Sequence, residues 1–357
     1  MEAIRQKILH GERLSADECL TLYRTAPLPE LGVMAFAVRE RLNGRNVYFN
    51  RNVHIEPTNI CANHCLFCSY RREEGEEGSW DFSLDDIFAI ARRYVGSDIT
   101  EVHIVGGVHP HKALPFYEGM VGGVRDILPA VHIKAFTAEE LWRMAQQAGI
   151  AVAEVLTRLR QRGLQSIPGG GAEILSEALR ARICPDKLSA EHWLEVHREA
   201  HRQGISSNAT MLDGHVETSE HRVEHLQRLR SLQDETGGFN AFIPLKYRKA
   251  HNRLSEVGEV SATEDLRNMA ICRLFLDNIP HLKAYWPMFG KDMAQLALSF
   301  GADDMDGTID SSTQIYAMAG AEDTSPRMTV DELRQMAQAS NLVAVERDSL
   351  YHAIQHL

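Results

Sequence analysis

Three cysteines fall within eight residues in Cys61-Ala-Asn-His-Cys65-Leu-Phe-Cys68, a CxxxCxxC spacing after the strand-like run Val53-His-Ile-Glu-Pro-Thr58. Three thiolates can hold three irons of a four-iron–four-sulfur cube and leave the fourth iron without a protein ligand. An open, reducible iron is what reductive cleavage of S-adenosylmethionine to a 5′-deoxyadenosyl radical requires. The same residues admit a zinc site with His64 or His54 as fourth ligand. Against zinc, CxxxC is looser than the usual pair and no second CxxC exists. A buried structural set is the third reading, although three cysteines this close are unusual for plain packing. Cys19, Cys184 and Cys272 stand alone and read as buried apolar residues.

Other residues with chemical potential sit after strand-like runs. Glycines recur there, in Gly106-Gly107, Pro168-Gly169-Gly170-Gly171 and Asp213-Gly214. Such glycines permit close backbone approach to a ligand, or simply a tight turn. Glu173 follows the triple glycine, and the bland reading is an exposed glutamate at a helix start. Asn208 and Thr210 alternate along one strand, so both face the same way. Asp303, Asp304 and Asp306 form an acidic group near the last strand, read as a capping loop or a helix start, with a divalent-ion site as the alternative.

The elements that must position these residues can be read from periodicity. Strand-like runs occur at Val53–Glu56, Glu101–Val105, His132–Phe136, Gln165–Ile167, Ser207–Met211, Phe239–Ile243, His281–Tyr285 and Asp303–Asp306. Helical spacing separates them, as in Leu141, Trp142, Ala145 and Ala148, or Val223, Leu226 and Leu229. Ser189 opens a capped helix that stops at Gly204. Eight strand–helix units predict a parallel (β/α)8 barrel of the TIM type, with a doubly wound sheet as runner-up. Residues 1–47 predict a helical N-terminal extension, with a capping box at Ser15-Ala-Asp-Glu18. Residues 48–357 are then the barrel with a C-terminal helical segment. In a parallel barrel the cysteine loop and the glycine clusters share the C-terminal mouth.

Composition bounds the partners. Apolar residues make up 44% of 357, enough for a substantial core. The formal charge of −11 makes nucleic acid an unsuitable partner. No apolar run approaches the ~18–20 residues needed to span a bilayer. The first residues lack a signal-peptide apolar stretch. Six cysteines in this length form no disulfide framework, and a reducing cytoplasm is expected.

Several blocks together resemble one subgroup of the radical S-adenosylmethionine enzymes, that of the menaquinone and deazaflavin pathways. They are Glu56-Pro-Thr-Asn-Ile-Cys61, His103-Ile-Val-Gly-Gly-Val-His-Pro110, His132-Ile-Lys-Ala-Phe-Thr-Ala138 and Ser166-Ile-Pro-Gly-Gly-Gly-Ala-Glu173. They continue with Ile183-Cys-Pro-Asp-Lys187, Ser207-Asn-Ala-Thr-Met-Leu212, Gln233-Asp-Glu-Thr-Gly-Gly238 and Ala302-Asp-Asp-Met-Asp-Gly-Thr308. The cyclase and FO synthase members typically carry Gln before the paired glycines, where this chain has Val105. That residue, with Cys184-Pro-Asp and Lys134-Ala-Phe, makes the chain most similar to the aminofutalosine synthases.

The resemblance implies a set of roles. Cys61, Cys65 and Cys68 would ligate the cluster, and S-adenosylmethionine would be a consumed co-substrate. Phe67 matches the family's CxΦC aromatic beside the adenine. Gly106 and Gly107 match the strand end that binds the methionine amine, and Glu173 the residue that binds the ribose hydroxyls. Asn208 and Thr210 would line the same site, and Glu217 would brace the adenosine loop. The implied acceptor is 3-(1-carboxyvinyloxy)benzoate, whose carboxylates need cations; candidates are His109, Lys246, Arg248 and Lys283. The implied electron source is a flavodoxin or ferredoxin. The chain departs from the family at Lys246-Tyr247-Arg248-Lys249, and Trp193 stands where biotin synthase-like enzymes place the arginine for the methionine carboxylate.

Overall fold

The computed structural model describes residues 1–308, 314–320 and 327–355. Seven strands form one parallel sheet in sequence order. They are β2 (Asn52–Ile55), β3 (Glu101–Ile104), β4 (His132–Ala135), β5 (Ser166–Ile167), β6 (Ser206–Asp213), β7 (Phe239–Lys246) and β8 (His281–Leu282). A smaller parallel sheet holds β1 (Asn46–Asn50) between β9 (Asp304–Gly307) and β10 (Val343–Glu346). The two sheets meet twice. Lys283 bridges to Asp304 beyond the end of β8, and β1 runs through Arg51 directly into β2. With β1 and β2 counted as one stave, eight staves therefore close a ring, as the eight predicted strand–helix units require.

Alternation along the strands explains the barrel. Val53, Ile55, Val102, Ile104, Ile133, Ala135 and Ile167 are almost fully buried between sheet and helices. Their neighbours of opposite parity are polar: Asn52, His54, Glu101, His103, His132, Lys134 and Ser166. These residues pack on one another, as in the His54–His103 ring contact at 4.6 Å and the Lys134–Glu101 ion pair at 2.6 Å. The apolar face goes outward because the helices present matching stripes there. The helix Ala138–Ala148 buries Leu141, Met144 and Ala145, starts at a Thr137–Glu140 capping box and ends on Gly149 at φ 64°. Ser189 caps the helix Ala190–Arg202 through the His192 amide.

The N-terminal helices Glu2–His10, Ala16–Thr25 and Leu28–Asn43 pack outside the barrel. The Ser15–Glu18 capping box is present in full. Tyr23 donates its hydroxyl to Asn268 at 2.5 Å on the barrel helix Ala262–Phe275. The helical stretch ends at Asn43, so the 47/48 boundary expected from sequence falls inside β1. The C-terminal segment holds the helix Val330–Ala339 and then the unanticipated β10, a four-residue strand whose Val343 is 54% exposed. Among the described residues no helix is long and apolar enough to cross a membrane.

Candidate active site

The cysteine loop leaves β2 at the C-terminal mouth. All six cysteines are free thiols; Cys65 is buried and Cys61 and Cys68 are half-buried. Cys19, Cys184 and Cys272 are buried apart from the loop's own three, as a packing role requires. The loop is docked on the end of β3. Ala62 donates to the Val108 carbonyl at 2.8 Å, and the Val108 amide points at Cys61 Sγ at 3.3 Å. Gly107 explains the close approach: a Cβ there would lie 2.3 Å from the Ile60 carbonyl oxygen. At Gly106 it would meet the Thr58 carbonyl at 2.9 Å. The glycine pair is thus required by contact with the cysteine loop. Its amides are used internally, Gly107 to Thr58 O at 2.8 Å and Gly106 to the Glu140 carboxylate. What this strand end can offer a ligand amine is carbonyl oxygen. Burial pushes Glu140 up to about 7, against the bonds it accepts from Thr137 and Gly106.

Two distant segments clamp the backbone around the second and third cysteines, from His64 to Ser69. From one side Ile183 O accepts the Leu66 amide at 2.7 Å, and the Asp186 carboxylate accepts the His64 amide at 2.8 Å. From the other, the Arg253 amide donates to Leu66 O at 2.8 Å and its guanidinium to His64 O. Ser69 donates to Ala250 O at 2.6 Å, and Asn252 donates to the Ser69 hydroxyl at 3.2 Å. The departure from the family pattern after β7 therefore opens a loop that grips the cysteine loop.

His64 does not serve as a fourth ligand here. It is half exposed, its Nδ1 lies 2.9 Å from Asp186 and its Nε2 2.8 Å from Arg71. His54 lies inside the barrel against His103. Among the described residues no three His, Cys, Asp or Glu side chains converge on a point suited to a single metal ion. Three free thiols on one clamped loop, with an amide aimed at one sulfur, fit a cluster-binding loop.

Phe67 packs half-buried against the core beside Lys187, whose ammonium lies 5.9 Å from the ring centroid. Glu173 is neither exposed nor a helix start, because the next helix begins at Glu177. It is 9% exposed, holds a positive φ of 48° and pairs with Lys187 at 2.5 Å. Its carbonyl accepts the Leu212 amide at 2.8 Å, which ties it to β6. Asn208 and Thr210 are both buried on β6; the Thr210 hydroxyl donates to Gly169 O at 2.6 Å. Glu217 accepts the Gly214 and His215 amides at 2.7 and 2.9 Å and pairs with Arg222, so it braces the turn after β6.

The basic candidates already have partners. His109 accepts the His111 and Lys112 amides on Nδ1 and faces Asp81 at 3.3 Å with Nε2. Lys246 points outward to Asp265 at 2.5 Å, because its parity on β7 faces the helix Ala262–Phe275. Arg248 donates to Gly320 O at 3.1 Å and lies 3.6 Å from Glu259. Lys283 is ion-paired with Asp306 inside the barrel. The three aspartates lie at or in a strand, not a capping loop or helix start, and each is matched by a cation: Asp303 by Arg273, Asp304 by Arg347 and Asp306 by Lys283.

The chain matches the Radical SAM superfamily over residues 55–229 and the CofH/MqnC C-terminal region over residues 236–355. It is 42% identical to the aminodeoxyfutalosine synthase of Thermus thermophilus, over 98% of this chain and 95% of that one. It is 35% identical to the cyclic dehypoxanthine futalosine synthase of Streptomyces coelicolor, over 100% and 90%. Among solved structures, methylornithine synthase superposes with a TM-score of 0.76 at 17% identity, covering 96% of this chain and 97% of that one. The chain therefore belongs to the radical SAM superfamily, enzymes that use a 4Fe–4S cluster and S-adenosylmethionine. Within it, the chain resembles the aminodeoxyfutalosine synthases, a second of which, from Streptomyces coelicolor, is 38% identical over 98% of this chain and 93% of that one.

Glu173→Ala is expected to weaken S-adenosylmethionine binding by about 1–3 kcal/mol while iron content is unchanged. Calorimetry on anaerobic protein reads this, and unchanged affinity would confine Glu173 to its pairing with Lys187.

Proposed function

We propose that this enzyme is an aminofutalosine synthase. The 5′-deoxyadenosyl group of S-adenosylmethionine adds to the enol-ether double bond of 3-(1-carboxyvinyloxy)benzoate. Rearrangement and loss of a carboxyl group as carbon dioxide or bicarbonate give 6-amino-6-deoxyfutalosine, on the way to menaquinone. The observation that carries this reading is the near-full-length likeness to the Thermus thermophilus synthase, at 42% identity. The cluster, when bound, supplies the electron that cleaves S-adenosylmethionine. The chain's own work is positional. Cys61, Cys65 and Cys68 would hold three irons, Gly106 and Gly107 carbonyls would receive the methionine amine, and Glu173 the ribose hydroxyls. Phe67 would lie by the adenine, with Asn208 and Thr210 on the adjoining wall.

A radical of this kind attacks almost any nearby C–H bond, so the acceptor must be held close and water kept out. The loop after β7 supports that role, since it roofs the mouth by bonding to the cysteine loop. Arg248 and Lys283 serve the acceptor carboxylates in this reading only through donors left over from their present partners, and His109 only by exchanging Asp81 for the acceptor at its single N–H, Nε2. The reductant is a flavodoxin or ferredoxin, and the enzyme works in the cytoplasm.

S-adenosylmethionine carrying carbon-13 at the 5′ carbon decides the reaction type. The label should appear in a new carbon–carbon bond of the product, one product per S-adenosylmethionine consumed, with little free 5′-deoxyadenosine. The similarity to the cyclic dehypoxanthine futalosine synthase defines the competing result. In that case free 5′-deoxyadenosine tracks turnover of dehypoxanthine futalosine and the enol ether is untouched.

A further inference from the structure

The segment Ile183–Lys187 has no role in the reading above, yet it touches the cluster loop at successive points. Ile183 and Asp186 hold the Leu66 and His64 amides. Lys187 then enters the site itself. Its side chain is 12% exposed, its ammonium pairs with Glu173 at 2.5 Å and it lies over the Phe67 ring at 5.9 Å. Its charge is felt at Cys65, Glu139 and Cys184. Glu139 is itself buried, accepting the Leu188 amide at 3.1 Å. Thiolates and carboxylates crowded into one buried volume repel each other and lose hydration, and a cation among them offsets both costs. The reduction potential of an iron–sulfur site follows the net charge around it.

We propose that Lys187 is a positioning residue for this chemistry: its ammonium orients Glu173 at the mouth and raises the readiness of the cluster to accept an electron. The inference rests on the cluster and on the ribose role proposed for Glu173, and not on the identity of the acceptor. Lys187 contacts no reacting atom in this scheme. It acts through Glu173 and through the field at Cys65.

The test uses reconstituted full-length protein carrying K187M, K187R or E173Q. The readouts are the cluster midpoint potential, by titration followed with electron paramagnetic resonance, and the affinity for S-adenosylmethionine. K187M should shift the potential to more negative values and weaken S-adenosylmethionine binding about tenfold or more, because Glu173 loses the partner that orients it and with it the charged hydrogen bond to the ribose. K187R should return the potential toward wild type, because the charge is kept. E173Q, which removes the anion and leaves the cation, should shift the potential the other way. A wild-type potential in K187M overturns the proposal, and normal adduct formation in the same protein would leave the proposed reaction standing. Should K187M fail to hold iron, E173Q still decides, since an unchanged potential there means that this pair does not act on the cluster.

Discussion

Alanine at Cys61, Cys65 or Cys68 is expected to abolish the cluster and all activity together. Each of the three would supply an iron ligand, and no other described cysteine lies in that loop. Loss of one leaves two thiolates for a cube that needs three, and an exposed iron corner is lost to solvent and oxygen. Cys184→Ala is the informative control. Cys184 is 2% exposed and near Cys65, whose thiol is pushed up chiefly by burial and further by Cys184, but it sits beyond the loop in the clamp segment. Cys184→Ala, Cys19→Ala and Cys272→Ala should all keep about four irons per chain after anaerobic reconstitution. Iron and sulfide analysis with the reduced-state spectrum checks both halves. An intact, active cluster without Cys65 would sink the assignment, and so would stoichiometric zinc with no iron.

The second large effect is on stability. Lys134 and Glu101 face each other inside the barrel at 2.6 Å, with side chains 6% and 2% exposed. Lys134→Met removes the cation and leaves a carboxylate in a poorly hydrated lumen, a loss of about 3–5 kcal/mol. The double variant with Glu101→Gln should recover most of it, because the cost is the uncompensated charge and not the missing contact. Burial opposes the Glu101 charge, and the Lys134 ammonium outweighs it, so the carboxyl is held well below the usual range. A depressed folded pKa contributes stability above the unfolded pKa and loses it as pH falls through the folded one. The deficit of Lys134→Met against wild type should therefore be full near neutrality and shrink in acid. Equilibrium denaturation at several pH values measures it. A deficit under about 1 kcal/mol would mean that the lumen is wet enough to screen the pair.

Short-range signals are legible in the amino-acid sequence alone. Most of the eight barrel strands can be read because they alternate polar and apolar residues, the period that a stave between lumen and helices needs, whereas β7 reads as an apolar run, Ala241-Phe-Ile-Pro-Leu245. The cysteine ligands can be read because all three lie within eight residues, so their convergence needs no folding of distant parts. The Ser15 and Ser189 caps are equally local. β1 and β10 escape such a reading because five and four residues with mixed exposure carry little periodicity; their pairing with each other joins residues about three hundred positions apart.

What the fold alone decides is which charges are already matched. Lys246, Lys283, Arg248 and His109 look alike as cations near strand ends, and only packing shows that each has a partner. Parity turns Lys246 out toward Asp265, whereas Lys283 enters the lumen and meets Asp306. Glu173 and Lys187 are fourteen residues apart and nothing local marks them as partners; the chain passes through the helix Glu177–Ile183 between them and returns to make them one buried pair beside Phe67. The clamp on Leu66 joins loops from β2, β5 and β7, brought together because parallel staves deliver all their C-terminal ends to one mouth. Sequence spacing carries the chemistry of a site whose ligands are neighbours in the chain. The field around that site is set by charges from other staves, and only the closed barrel assigns them.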